Sequence, residues 1–163
     1  MNKLITDEWV DWMNAKILQK AVVVDDEGNI LVLKRSDKKP GGRQGKWDLL
    51  GGSMGLDDLN SDGQLHEAVL AREAREEAGL KIEEIIPICV RSGKKLTKTA
   101  GEILIYAVGF KCKAKGVKPP VILSEEHTEF KWISQQELEN VDFGENEDGF
   151  HVQTSKAYLS SKK

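Results

Sequence analysis

Three glutamates crowd one side of a predicted helix in the middle of the chain. The string REAREEAGL at 72–80 contains Glu73, Glu76 and Glu77. At about 100° per residue these carboxylates share one sector of the helix, where like charges three or four residues apart repel each other. Arg72 is spaced to pair with Glu76, so at least two carboxylates are left without a partner. Their hard oxygens are the ligands that Mg²⁺ prefers. The sector therefore favours a divalent-cation site over a solvated acidic face.

The residues around this helix indicate how it is positioned. Small side chains lie away from the glutamates and would let the helix approach a sheet closely: Ala68, Ala71, Ala74 and Ala78. Gly79 suits a left-handed cap at the end of the helix. Upstream, Gly51 and Gly52 form a turn in which the backbone carbonyls could approach a cation.

These motifs resemble the Nudix hydrolase family, whose signature reads G-x5-E-x7-R-E-apolar-x-E-E-x-G-apolar. Residues 72–80 match its second half. The run GKWDLLGG at 45–52 is similar to the family's approach, G-x-W-x-L-P-G-G, with Leu50 in place of proline. The resemblance covers roughly residues 17 to 140. It implies an α/β fold, an α/β/α sandwich with a mixed β-sheet, formed as one domain over residues 1–163.

The first half of the signature departs from the family pattern. Gln64 stands where the family has its first glutamate, and Gly52 lies about six residues farther from Arg72 than usual. The enlarged loop at 55–63 contains Asp57, Asp58 and Asp62. Because Ser61 and Gln64 have the spacing of a capping box, we expect Gln64 to cap the helix and not to bind metal.

A second acidic segment lies later in the chain. Residues 124–134 read SEEHTEFKWIS and resemble the family's E-H-x-E-apolar-x-W-apolar, with Glu126 six residues before Trp132. The resemblance makes Glu126 a remote metal ligand or general base, and a plain acidic loop is the alternative. His127 is expected to be a loop residue and not a ligand, since this metal chemistry prefers oxygen.

The resemblance also implies the remaining site residues. The expected ligands of Mg²⁺ or Mn²⁺ are the Gly51 carbonyl, Glu73, Glu76, Glu77 and Glu126. The expected catalytic residues are Arg72, Glu76, Glu77 and Glu126, and the general base stays open among the three glutamates. Arg35 and Lys46 are candidate contacts to substrate phosphate, and the Gly- and Lys-rich loop at 36–45 is flexible enough to close over a ligand.

The implied reaction is hydrolysis of a diphosphate linkage in a nucleoside diphosphate joined to another group. A nucleoside triphosphate, cleaved to a monophosphate and pyrophosphate, is the first choice because the segment before the first predicted strand is short. The alternatives are ADP-ribose, a nucleotide sugar or a dinucleotide polyphosphate. A nucleotide sensor without turnover is the alternative from a different class.

Composition limits the partners. The 163 residues, 39% of them apolar and 31% charged, fit one globular domain with a sizeable core. A net charge of −3 gives no electrostatic reason to expect nucleic-acid binding. The sequence shows no signal-peptide pattern and no apolar run of membrane-spanning length. We therefore expect a cytoplasmic monomer or homodimer acting on a small nucleotide, with Cys89 and Cys112 as free thiols.

Periodicity and turn signals predict the framework. Strands are predicted over residues 17–24, 30–34, 47–49, 82–90 and 103–111, the first two forming a hairpin. A polar loop is predicted over 91–101. Ser134 and Glu137 have the spacing of a capping box that starts a helix, and a last helix is expected from about Thr154. The two tryptophans among the first fifteen residues are expected to cover the core and not to stack a base.

Overall fold

The computed structural model describes residues 15–39, 41–55, 58, 65–98 and 101–162. In chain order its elements are β1 (Ala15–Val24), β2 (Ile30–Arg35), β3 (Trp47–Asp48), α1 (Leu65–Ala78), β4 (Ile82–Thr97), β5 (Gly101–Ala114), β6 (His127–Ile133), α2 (Gln135–Leu138) and α3 (Phe150–Ser160). The expected capping box at Ser61 and Gln64, and both Trp9 and Trp12, lie outside the described residues.

The six strands form one mixed sheet. The order is β3-β2-β1-β5-β4, and β6 pairs with β2. β1 and β5 are parallel along their length, from Ala15 opposite Leu104 to Val24 opposite Lys113. All other pairs are antiparallel. Val24 pairs with Ile30 across the first turn, which confirms the predicted hairpin and the mixed sheet.

Each face of the sheet carries its own apolar core, as strand alternation requires. Ala21 of β1 belongs to a buried cluster with Leu70 and Ala74 of α1. Its neighbour Val22 belongs to a second buried cluster, which includes Tyr158 of α3. Helices therefore cover both faces, and the predicted α/β/α sandwich is confirmed.

The glutamate-bearing helix ends as its sequence predicts. Gly79 has φ +65° and donates its N–H to the Arg75 carbonyl at 3.1 Å. Leu80 donates to the Ala74 carbonyl at 3.0 Å, so that the left-handed residue satisfies two of the last carbonyls. The three glutamates lie in the last turns of α1, and Ala74 and Ala78 of the same turns are fully buried.

The prediction of a polar loop at 91–101 is wrong. β4 continues to Thr97 and pairs with β5 as far as Thr97 opposite Gly101. Most side chains of this outer half are exposed, and Leu96 is 80% exposed. With no buried face, the segment shows no apolar alternation, and backbone hydrogen bonds between the two strands define it instead.

The later helices agree with the sequence in part. The Ser134 hydroxyl accepts from the Glu137 N–H at 3.2 Å, and the Glu137 carboxylate accepts from the Ser134 N–H at 2.7 Å. The predicted capping box is thereby confirmed. α3 begins at Phe150, one turn before the expected Thr154. No helix of the described residues is long and apolar enough to cross a bilayer.

Gly109 is the point of closest approach between β5 and α3. A Cβ at this position would lie 2.6 Å from Cγ2 of Thr154. We expect Gly109→Ala to lower the free energy of unfolding by about 1–3 kcal/mol through overpacking, measured by urea unfolding. Gly93→Ala in β4 is the control, because a Cβ there meets nothing within 4 Å. Equal losses in both variants would contradict the steric explanation.

Candidate active site

The site is built on a glycine turn that lies against β1. The Gln19 N–H donates to the Gly52 carbonyl at 2.9 Å. Gly51 has φ +127°, and a Cβ there would lie 3.1 Å from the Cα of Lys20. A side chain at Gly51 would therefore force the turn away from the strand. This close approach presents the backbone of Gly51 and Gly52 to the glutamates of α1.

Glu77 is the most buried of the three helix glutamates, with 2% of its surface exposed. Its Oε2 accepts the Gly51 N–H at 2.9 Å. Its Oε1 contacts the ammonium group of Lys39 and lies 3.9 Å from Nε2 of His127. This carboxylate is therefore held between the glycine turn and the loop that follows β2.

Glu73 lies beside the same turn, one helical turn earlier. A Cβ on Gly52 would come within 2.8 Å of Glu73 Oε1, so the carboxylate lies directly against the backbone of the turn. Burial and the nearby negative charge of Glu77 raise the pKa of Glu73. The raised pKa of Glu73 therefore reflects burial first and repulsion between two carboxylates second.

Arg72 binds the carboxylates on the outer side of α1. Its Nη1 lies 2.9 Å from Glu76 Oε2, which confirms the predicted pair, and 2.9 Å from Glu73 Oε1. Nε and Nη2 donate to Asp58 at 3.1 and 3.2 Å. The Glu76 side chain is 58% exposed, compared with 12% for Glu73 and 3% for Glu77, so Glu76 is the most solvated of the three carboxylates.

Glu126 immediately precedes β6, the strand that pairs with β2. It accepts from Lys39 Nζ at 2.9 Å. Burial alone would raise the pKa of Glu126, but the hydrogen bond from Lys39 brings it below the ordinary value. Glu126 is therefore ionised at neutral pH and shares one ammonium group with Glu77.

His127 differs from its expected place in a loop. It is the first residue of β6, paired with Arg35, and its side chain is fully buried. Neither ring nitrogen has a hydrogen-bond partner among the described residues. Burial lowers the pKa of His127 to about 4, so the imidazole is neutral beside Glu77.

A buried carboxylate anchors the basic wall of the site. Asp48 of β3 accepts from Arg35 Nη1 at 2.7 Å and lies 3.1 Å from Lys20 Nζ. His151 Nε2, in the first turn of α3, lies 2.5 Å from it. Burial alone would raise the pKa of Asp48, but the charge of Lys20 and the bond to His151 hold it well below its ordinary value.

A cavity of about 420 Å³ lies between the acidic residues, Glu73 and Glu126, and the basic residues around Asp48. Glu73 and Glu126 line it, together with six basic side chains: Lys16, Lys20, Arg35, Lys39, Arg43 and Lys95. Arg35 lines the cavity, and its expected contact with substrate phosphate stays a prediction. Lys46 does not line this cavity and instead lies 2.5 Å from Asp142. A groove of about 480 Å³ between α2 and α3 shares no lining residue with it.

The family comparison decides what this arrangement is. A model of the NUDIX domain matches residues 19–152. The chain belongs to the Nudix family. Hydrolases of this family act on nucleoside diphosphates linked to another group and generally use divalent metals. No significant match was found among curated protein sequences.

Solved structures agree with this assignment. A MutT protein from Methanosarcina mazei Go1 is 26% identical, with a TM-score of 0.63, over 93% of this chain and 99% of that chain. The E. coli ORF135 protein is 18% identical, with a TM-score of 0.65, over 92% of each chain. An Ap4A hydrolase from C. elegans is 18% identical, with a TM-score of 0.57, over 91% and 99%. The last two show the likeness of fold alone.

The Nudix carboxylates suit a divalent cation in chemistry but are bound to the protein's own cations. Glu73, Glu77 and Glu126 offer hard oxygens around one turn. Lys39 Nζ lies between the last two, and Lys20 Nζ donates to the Gly51 carbonyl at 2.6 Å. Accordingly, no three His, Cys, Asp or Glu side chains of the described residues form a ready metal cluster.

Sequence reasoning missed the residues that organise this Nudix site. Lys20, Lys39, Asp48 and His151 belong to no motif that would single them out. Asp48 falls at a variable position of the family's approach pattern, and Lys39 is one of several lysines in a flexible loop. The one available signal was the position of Asp48 in a short strand ahead of the glycine pair.

Asp48 gives a prediction for stability. Asp48→Asn should lower the free energy of unfolding at pH 7 by about 3–5 kcal/mol, since it leaves buried cations without their counter-charge. The pKa of Asp48 in the folded protein lies below its unfolded value of about 4. The stabilisation that the ionised Asp48 gives the wild type is therefore complete above that pH. It is lost as the pH falls through the folded pKa, and the variant should lack this part of the acid dependence.

Urea unfolding from pH 7 downwards measures both effects. Asp142→Asn is the matched control, because Asp142 is exposed and pairs with the exposed Lys46. It should change stability by less than about 0.5 kcal/mol. Similar losses in the two variants would show that the burial of Asp48 is not what makes its charge matter.

Proposed function

We propose that this Nudix hydrolase cleaves a nucleoside triphosphate to a monophosphate and pyrophosphate, using Mg²⁺ or Mn²⁺. The cavity carries the proposal, because carboxylates and basic side chains line the same space of about 420 Å³. Glu73 and Glu126 form the metal-binding side, and Arg35 and Arg43 belong to the phosphate-binding side.

The basic side is rigid, which suits phosphate recognition. Arg35 Nη1 and Arg43 Nη2 lie 2.7 and 3.5 Å from the buried Asp48. Arg35 also donates from Nε to the Gly42 carbonyl at 2.9 Å. Guanidinium groups fixed in this way bind phosphate oxygens with little loss of side-chain entropy. The expected role of Lys46, which is paired elsewhere, stays a prediction.

The metal side would hold the cation through Glu73, Glu76, Glu77, Glu126 and the Gly51 carbonyl. A bound divalent cation neutralises phosphoryl oxygens and lowers the pKa of a bound water. Arg72 positions the carboxylates of Glu73 and Glu76. We assign Glu126 as the general base, because it is ionised, 43% exposed and lines the cavity. Glu77 is too buried to reach a substrate water directly.

A dinucleoside polyphosphate is the second candidate substrate. Lys16 and Lys95 line the same cavity, are exposed and have no carboxylate within 4 Å among the described residues. These two ammonium groups could bind phosphates beyond a triphosphate. Faster hydrolysis of a dinucleoside tetraphosphate than of any nucleoside triphosphate would favour this candidate.

A substrate panel tests the proposed function. Nucleoside triphosphates, ADP-ribose, nucleotide sugars and dinucleoside polyphosphates are incubated with Mg²⁺, and released pyrophosphate or phosphate is measured. We expect the highest kcat/KM with a nucleoside triphosphate and no turnover in excess EDTA. Binding of nucleotides without turnover of any of them would identify a sensor, and full activity in EDTA would exclude the metal.

Glu77→Gln tests the metal side. We expect kcat to fall by about 10²–10³-fold, the scale of losing one preorganised electrostatic group, while the circular dichroism spectrum is unchanged. Glu67→Gln is the control, since Glu67 is an exposed acid of the same helix. Its kcat should be unchanged, and a similar loss there would point to the charge of the helix as a whole.

Glu126→Gln tests the general base. We expect kcat to fall by about 10²–10⁴-fold with little change in KM, because the contact to the attacking water matters in the transition state. Glu125→Gln and Glu129→Gln are matched controls, because the exposed Glu125 and the half-buried Glu129 pair with Lys38 and Lys34. Equal, mild effects at all three positions would show that the segment is only a solvated acidic loop.

A further inference from the structure

Lys39 lies where the proposed metal would have to bind. Its side chain is 9% exposed, and its ammonium group contacts Glu77 Oε1 and lies 2.9 Å from Glu126 Oε2. The adjacent Lys38 pairs with the adjacent Glu125 at 2.5 Å, but both of those side chains are largely exposed. The two segments thus make two lysine–glutamate pairs, one between the buried Lys39 and the half-buried Glu126 and one between the exposed Lys38 and Glu125.

Lys39 is buried beside Glu77 because the Glu77 carboxylate needs a counter-charge. Glu77 is nearly inaccessible to water, and an ionised carboxylate in that position is unfavourable without a cation. The ammonium group of Lys39 contacts Glu77 Oε1 and supplies that charge from the loop after β2. Lys39 therefore neutralises the same carboxylate oxygens that a divalent cation at this position would neutralise.

An ammonium group and a divalent cation cannot share these oxygens. Both would need the same lone pairs of Glu77 and Glu126, and the two positive charges would repel each other at contact distance. Lysine is suited to leave, because its charge sits at the end of a flexible four-carbon chain. Ser36, whose hydroxyl donates to the Glu125 carbonyl at 2.7 Å, would keep the start of the loop in place.

We propose that Lys39 is a displaceable occupant of the metal position, which metal binding exchanges for the divalent cation. The inference rests on the proposed function, since it needs a cation at Glu77 and Glu126. Lys39 sets the metal affinity: the cation must displace it and binds more weakly than it would to the same carboxylates alone. The released ammonium group stays in the cavity, on the side open to substrate phosphate.

Metal binding to Lys39→Met measures the competition. Free Mn²⁺ is followed by electron paramagnetic resonance in titrations of the wild type, Lys39→Met and Lys38→Met. We expect Lys39→Met to bind Mn²⁺ roughly tenfold more tightly, within the usual range of coupling between two sites. Lys38→Met should match the wild type. In EDTA, Lys39→Met should melt at a lower temperature than Lys38→Met, and Mn²⁺ should reverse that order.

A labelling experiment on the wild-type protein does not depend on how the variants fold. Lysines are acetylated with and without saturating Mn²⁺, and the rate at each position is read by peptide mass spectrometry. We expect Mn²⁺ to increase the labelling rate of Lys39 severalfold and to leave Lys38 unchanged. If Mn²⁺ binds but Lys39 stays protected, and Lys39→Met binds no more tightly, the exchange is wrong while the proposed metal site stands. If folded wild type and Lys39→Met both bind no Mn²⁺, the metal site of the proposed function fails, and the exchange with it.

Discussion

Buried negative charge is the constraint on which this structure depends. Asp48 and Glu77 are almost completely removed from water, and an uncompensated charge in such a place costs several kcal/mol. Each carboxylate recruits its cations from other parts of the chain: Lys20 and Arg35 for Asp48, and Lys39 for Glu77. These ion pairs join β1, β2, β3 and α1 at one end of the sheet, and the cavity lies between them.

The glycine turn links the two charged groups. Gly51 donates its N–H to Glu77, and its carbonyl accepts from Lys20. The turn can lie this close to β1 only without a side chain at Gly51. The same groups therefore serve stability and chemistry. The ion pairs that hold this end of the sheet together involve the side chains proposed to bind a cation and a phosphate. Sites of this kind are where a protein commonly gives up stability for function.

Asp58 connects the segment before α1 to the helix that carries the glutamates. Arg72 donates from Nε to the Asp58 carboxylate at 3.1 Å. Arg72 in turn holds Glu73 and Glu76. The hydrogen bonds from Gly55 and Arg72 lower the pKa of Asp58, although burial alone would raise it. Asp58 therefore binds, as a carboxylate, the arginine that holds two of the helix glutamates.

Local pattern determined the elements, and the tertiary structure decided which charges meet. The sequence by itself predicted the first hairpin, the glutamate sector of α1 and its glycine cap, because each rests on residues a few positions apart. The family and the sandwich followed from the resemblance of two motifs, at 45–52 and 72–80, to the Nudix signature. The sequence did not predict the outer half of β4, whose exposed side chains leave no apolar pattern. Nor did it predict the pairing of Lys39 with Glu126 or of Asp48 with His151, which are 87 and 103 residues apart. One lysine of a lysine-rich loop looks like another in sequence, and only folding removes Lys39 from water beside Glu77 while leaving Lys38 exposed.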